Sequence, residues 1–173
     1  MFEALLGRGG PCSRCWCMYW RIGPAYRKRT PQTNQSALQK LVRDGPPPGL
    51  LAIVGNEAVG WCQLTPRRDL PHLGLVKKLK TVDAQPVWSI SCFYIRKGYR
   101  KKGITAALIE TAIRVAKKNG APALEAYPLD AKLTPSSSWT GYASTFLRAG
   151  FKVAARHFPP QPVMRLQLTK GSR

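Results

Sequence analysis

Residues 98–109 read Gly98-Tyr99-Arg100-Lys101-Lys102-Gly103-Ile104-Thr105-Ala106-Ala107-Leu108-Ile109. A strand-like run, Val87 to Ile95, leads into this stretch, and a helix-like run, Ile104 to Lys118, leaves it. A turn that opens straight into a helix leaves several backbone N–H groups unpaired at the helix start. They point the same way, at the positive end of the helix dipole, and together make a site for an anion, most naturally phosphate. Five of the seven residues from Arg96 to Lys102 are basic, which adds charge around the turn. The stretch is not a P-loop, because no Gly-Lys-Ser/Thr follows a four-residue spacer. It is not a dinucleotide fingerprint either, because Gly-x-Gly-x-x-Gly is absent. An ordinary basic turn before a surface helix would use the same residue types, so the surrounding chain has to decide.

Working outward, Val87–Ile95 is a strand and the run after the turn carries Leu108, Ile109, Ala112, Ile113, Val115 and Ala116, a helical apolar face. Asn119-Gly120 is a suitable helix stop. Ala123–Tyr127 reads as a short strand, Ser136–Arg148 as a second helix stopped by Gly150, and Phe151–Ala155 and Val163–Leu168 as final strands joined by a proline-rich turn. Upstream, Leu50–Val54 and Ala58–Leu64 flank Gly55-Asn56-Glu57, a hairpin with fitting turn chemistry. Residues 34–43 read as a helix ended by Asp44-Gly45 and three prolines, and residues 15–20, Cys-Trp-Cys-Met-Tyr-Trp, as a strand. Arg67–Lys80 is a basic loop or short helix. The order predicts an α/β protein. Its mixed sheet has a right-handed crossover, antiparallel edges and flanking helices.

The segment Arg100-Lys101-Lys102-Gly103-Ile104-Thr105 resembles the Arg/Gln-x-x-Gly-x-Gly/Ala motif of the GCN5-related N-acetyltransferases, with Thr in the last slot. The tail Phe146-Leu147-Arg148-Ala149-Gly150-Phe151 is similar to that family's Tyr-x-x-x-Gly-Phe. The element order follows the same family from about Cys15 to Leu168, within one domain spanning residues 1–173. The resemblance implies an enzyme, an N-acetyltransferase that uses acetyl-coenzyme A. The primary amine of an acceptor would attack the thioester directly in a ternary complex. The amides of Arg100, Lys101, Lys102, Gly103, Ile104 and Thr105 would hold the pyrophosphate. Phe93, Tyr94 and Ile95 would hold the pantetheine arm and the thioester carbonyl.

One departure concerns chemistry. Many members use the tail tyrosine to protonate the departing thiolate, and Phe146 has no proton to give. Tyr142 lies four residues earlier, on the same face of the predicted helix. It is the candidate acid, a residue that merely packs being the other reading. Proton acceptors are few, with eight carboxylates and two histidines. Glu125 is the carboxylate that falls inside a predicted inner strand, on one face with Tyr127. It is the candidate base, a buried ion pair with Arg or Lys being the other reading. Cys12, Cys15 and Cys17 form Cys-x-x-Cys-x-Cys, but a zinc site needs four ligands and a second pair with regular spacing is missing, so no metal is expected.

Composition sets outer bounds. The chain carries 28 Lys and Arg against 8 Asp and Glu, a formal charge of +20. This favours anionic partners such as coenzyme A and argues against a strongly cationic small acceptor. The charge is spread along the chain, so a nucleic-acid-binding or non-catalytic coenzyme-binding module is the alternative rather than the main reading. An odd cysteine count argues against a disulfide framework. No stretch approaches the roughly 20 apolar residues of a membrane span, residues 1–10 carry no secretory pattern, and a cytoplasmic protein is expected. A homodimer is left open.

Overall fold

A computed structural model of the protein describes residues 2–7, 13–130 and 138–168. Its centre is a six-stranded mixed sheet in the order β1-β2-β3-β4-β6-β5. The strands are β1 (Gly49–Val54), β2 (Glu57–Pro66), β3 (Trp88–Ile95), β4 (Ala123–Ala126), β5 (Lys152–Ala155) and β6 (Val163–Gln167). β1 and β2 form the predicted hairpin, closed by two residues with Gly55 at φ 57°. β2 and β3 are antiparallel, β3 and β4 parallel, and β6 runs antiparallel to both β4 and β5.

Among the described residues, six α-helices flank the sheet: α1 (Phe2–Leu6), α2 (Tyr19–Ile22), α3 (Pro31–Asp44), α4 (Pro71–Leu75), α5 (Ile104–Lys118) and α6 (Ala143–Arg148). α3 starts three residues before the expected helix because Thr30 caps it. Its hydroxyl accepts from the Thr33 amide, and Pro31 sits where a missing N–H costs nothing. α5 buries Leu108, Ile109, Ala112 and Ala116, which join Ile90, Leu124, Phe146 and Phe151 in the largest core cluster. A second cluster joins Leu5, Leu6 and Leu38 to Trp61 and Cys92, and a third gathers Trp20, Leu70, Leu73 and Tyr127.

The strand expected at residues 15–20 does not form. Trp16 and Cys17 both have positive φ, 42° and 53°, in a turn that runs into α2. That left-handed pair breaks any extended run. Trp16 and Cys17 are buried in one cluster with Leu5, Leu6, Leu38 and Trp61, so their apolar character reports burial and not strand. The helix expected at 136–148 shrinks to α6. Residues 136 and 137 lie outside the described residues, as does Cys12, while residues 138–142 form a turn before the helix.

Two irregularities shape the middle of the sheet. The β2–β3 register shifts so that Gln63 faces Cys92 and Leu64 faces Ile90, which leaves Ser91 as an extra residue on β3. Its carbonyl is then open to accept from the Trp20 indole at 3.0 Å, and its hydroxyl donates to the Gln63 side chain at 2.9 Å. Pairing between β3 and β4 covers only Trp88–Ile90 against Leu124–Ala126. Beyond Ile90, β3 continues for five residues with no strand paired to it on that side among the described residues, and the two parallel strands part.

Candidate active site

The parting of β3 and β4 opens into a cleft of about 840 Å³. Eight of the nine residues expected to hold coenzyme A line it: Phe93, Tyr94, Ile95, Arg100, Lys101, Gly103, Ile104 and Thr105. Lys102 does not, and its ammonium lies 5.5 Å from the Tyr99 ring centroid. The turn is built by backbone conformations that favour glycine. Gly98 has φ 92°, Gly103 has φ 78°, and Lys101 takes a left-handed φ of 59° between them. Gly103 is the N-cap of α5, without a side-chain cap, and no atom lies within 4 Å of where its Cβ would be. The first helical bond is Ala107 N–H to Gly103 C=O at 3.1 Å, so the amides of Ile104, Thr105 and Ala106 precede the intrahelical ladder.

The register decides which amides of β3 face the cleft. Arg96 N–H donates back to Val59 on β2, so the non-bonded pairs Ile95–Gly60 and Phe93–Cys62 turn their N–H groups away from β2. Tyr94 directs its amide at β2 and can serve the cleft only through its side chain. The Phe93 amide already has an acceptor, the Trp139 carbonyl at 2.6 Å.

Tyr142 lines the cleft, half-buried, but not as a helical neighbour of Phe146. It is the extended N-cap residue of α6, with φ −107° and ψ 139°. Tyr142, Thr145 and Arg148 follow one side of α6 and face the cleft, whereas Ala143 and Phe146 face the core. Phe146 is fully buried, its ring 5.1 Å from Phe151 and 6.1 Å from Phe93.

Glu125 is not among the residues that line the cleft. It is 1 % exposed and shares its carboxylate between two arginines. Arg67 donates to Oε2 at 3.1 Å, and Arg165 donates to Oε1 at 2.7 and 3.1 Å. The Tyr127 hydroxyl donates to Oε2 at 3.0 Å and is also 2.9 Å from the Ser89 hydroxyl. Burial, followed by the charge of Glu125, raises the Tyr127 phenol well above its ordinary range. Alternation along β4 does put Glu125 and Tyr127 on one face, but that face looks into a buried polar network.

The walls that sequence reading missed are aromatic. Tyr19 and Trp20 from α2, Tyr26 from the 3-10 turn after it, and Trp139 all line the cleft. Tyr19 meets Tyr26 edge to face at 5.9 Å and Trp139 at 6.1 Å. Behind them, His72 packs its ring against Tyr19 at 5.1 Å and against the backbone of Gly23. Cys15, Cys17 and Cys92 also reach the cleft. A hydrogen bond to Cys92 and then burial hold the Cys17 thiol well above its usual pKa, which keeps it neutral, and the Trp61 indole donates to its sulfur at 3.0 Å. The aromatic wall touches β3 at Ser91 and the basic turn begins at Arg96. At about 3.3 Å per strand residue, roughly 16 Å separates the two ends.

A parallel strand pair that parts beside a basic turn and a helix N-terminus defines an acyl-coenzyme A transferase architecture. The model of the acetyltransferase (GNAT) family matches residues 14–133. The chain belongs to that family. Solved structures agree in fold: an N-acetyltransferase from Staphylococcus aureus Mu50 has TM-score 0.56 and 16 % identity, over 98 % of this chain and 95 % of that one. The PaiA N-acetyltransferase from Thermoplasma acidophilum, in complex with coenzyme A, has TM-score 0.55 and 15 % identity, over 96 % and 92 %. No curated protein matches the chain.

Proposed function

We propose that this protein transfers the acetyl group of acetyl-coenzyme A to the primary amine of an acceptor, by direct attack with both substrates bound. The observation that carries this reading is the Gly98–Gly103 turn feeding α5 at the mouth of the split between β3 and β4. Open space above Gly103, three amides ahead of the helical ladder and two cleft-lining cations, Arg100 and Lys101, fit a pyrophosphate. When bound, acetyl-coenzyme A supplies a thioester that is already activated for attack by an amine.

The residues of the chain then bind and orient. The amides of Ile104, Thr105 and Ala106 with Gly103 receive phosphate oxygens. The Ile95 amide faces the opening and is the donor suited to the pantetheine arm or carbonyl oxygen. The Phe93 amide, the other donor on that edge of β3, is taken up by the Trp139 carbonyl. Arg148 and Thr145 from α6 also line the cleft, and Tyr142, which lines it too, is the candidate to give a proton to the departing sulfur. Holding amine and thioester together in this slot is the main contribution to rate.

Thermal unfolding with coenzyme A and a thioester-cleavage assay with an amine panel test the reading. Coenzyme A at about 100 times its dissociation constant should add about 2.7 kcal/mol to stability. No rise in Tm at millimolar coenzyme A overturns the coenzyme site. A module without catalysis is the second reading, favoured by Phe146, a core residue where the family pattern has a phenol. It predicts the Tm rise with no acceptor-dependent cleavage.

A further inference from the structure

We propose that the acceptor is an aromatic amine that is already neutral at pH 7, an arylamine bearing an acidic substituent, and not a polyamine or a lysine side chain. This rests on the acetyltransferase reading above and names its substrate class.

The first argument is a complete count of proton acceptors. All eight carboxylates and both histidines fall among the described residues, and none lines the cleft. Glu125 and Asp83 are held by Arg165, Asp130 by Arg156, Glu57 by Arg96, Asp44 by Lys40. Glu3 accepts from Gln35 and Gln39, Asp69 from the Thr65 hydroxyl, and Glu110 is exposed. His157 is exposed, and His72 stands behind Tyr19 and Trp20.

The titratable groups that do line the cleft are thiols, phenols and cations. A hydrogen bond to Cys92 and burial raise the Cys17 thiol, and neither phenols nor cationic side chains such as Arg27, Arg100, Lys101 and Arg148 belong to the residue types that take up protons as general bases near neutrality. An amine with a pKa near 10.4 is neutral in only about one molecule in 2,500 at pH 7. Among the described residues, no carboxylate or imidazole lines this cleft to improve on that. An arylamine delocalises its lone pair into the ring and arrives unprotonated.

The second argument is shape and charge. The end of the cleft away from the phosphate turn is walled by Tyr19, Tyr26 and Trp139, whose edge-to-face contacts suit a flat ring. Arg27 stands beside Tyr26, with its guanidinium donating to the Tyr26 hydroxyl. It and the charge of +20 favour a carboxylate or similar acid on that ring and repel polycations. In the step itself, the amine nitrogen bonds to the acyl carbon, the carbon–sulfur bond breaks, the sulfur leaves with its electron pair, and the amine loses one proton to solvent or to the sulfur.

The test compares 4-aminobenzoate, benzylamine and spermidine as acceptors of acetyl-coenzyme A. The expected result is kcat/KM at pH 7 about 100-fold higher for 4-aminobenzoate, with a flat profile from about pH 6.5 to 9. The two alkylamines should rise about tenfold per pH unit toward their own pKa values. Trp139→Leu should raise KM for 4-aminobenzoate about fivefold while the Tm rise with coenzyme A stays as in wild type. Preferred use of spermidine or benzylamine at pH 7, no transfer to 4-aminobenzoate by protein that coenzyme A stabilises, or an unchanged KM in Trp139→Leu overturns the inference and leaves the coenzyme site standing. No stabilisation by coenzyme A overturns the parent reading and this one together.

Discussion

Glu125 shows how little a residue's type says about its job until its neighbours are known. With two arginines donating to it and one phenol shared, its carboxylate has no lone pair aimed at a substrate. Removing its charge would leave the Arg67 guanidinium, only 9 % exposed, without its carboxylate, and would leave Arg165 with the Asp83 carboxylate alone. We therefore expect Glu125→Gln to lose about 3 kcal/mol of stability, in line with breaking a buried pair from one side. The folded mutant should keep its rate per molecule and its pH–rate profile. Denaturant melts and rates on one preparation check this, and a vanished ionisation in the profile would restore Glu125 to the mechanism. Tyr142 calls for the opposite experiment. It lines the cleft, so Tyr142→Phe should lower kcat by about 10²-fold if its hydroxyl protonates the thiolate. Binding of acetyl-coenzyme A, followed by titration, should barely move because the ring is kept. A wild-type kcat would show that the sulfur leaves without a protein acid.

Among the elements, the turn into α5 gathers most of the proposed coenzyme site in the fewest residues. Two glycines and one lysine at positive φ bend the chain so that the amides at the start of a 15-residue helix meet the cleft. Asp tolerates the left-handed region better than most side chains, and Gly103 has open space above it. Gly103→Asp should therefore fold, at a cost of about 1 kcal/mol. It places a negative charge where phosphate would lie, so the Tm rise with coenzyme A should disappear. An unchanged rise in the folded mutant would reduce the segment to a surface turn. The 138–142 segment acts in another way. Its Trp139 carbonyl accepts from the Phe93 amide on the edge of β3 that β4 leaves free.

Over the whole molecule, six of the eight carboxylates sit in salt bridges, so the surplus of basic side chains has little local compensation. Among the described residues, the cleft takes four of those cations and no acid. A polyanionic ligand should be drawn in from a distance and should feel salt strongly. We expect coenzyme A affinity, measured by calorimetry, to fall about tenfold between 0.1 and 1 M salt, as the screening length shrinks from about 10 Å to 3 Å. An affinity independent of salt would mean that the phosphates are held by backbone amides alone. No helix among the described residues is long and apolar enough to cross a membrane.

What the sequence determined by itself was local. The turn after Ile95, the amphipathic face of α5, the β1–β2 hairpin and the Gly150-Phe151 stop all follow from the chemistry of adjacent residues, and their order was enough to specify the fold. The strand that did not form and the role of Glu125 that the sequence left undecided have the same root. Cys15–Trp20 has the apolar, aromatic composition of a strand. Whether such a run extends or coils depends on what buries it, and here Trp61, Gln63 and Ser91 bind it as a turn and a short helix. Glu125 was placed on the right face of β4, but Arg67 and Arg165 are 58 and 40 residues away in the chain, and no local pattern announces them. The aromatic wall likewise assembles from α2, the turn after it and Trp139, more than a hundred residues further on. Local rules act through backbone conformation over a few residues. The site is made by side chains from distant segments meeting where two parallel strands part, and only the tertiary structure decides which ones meet.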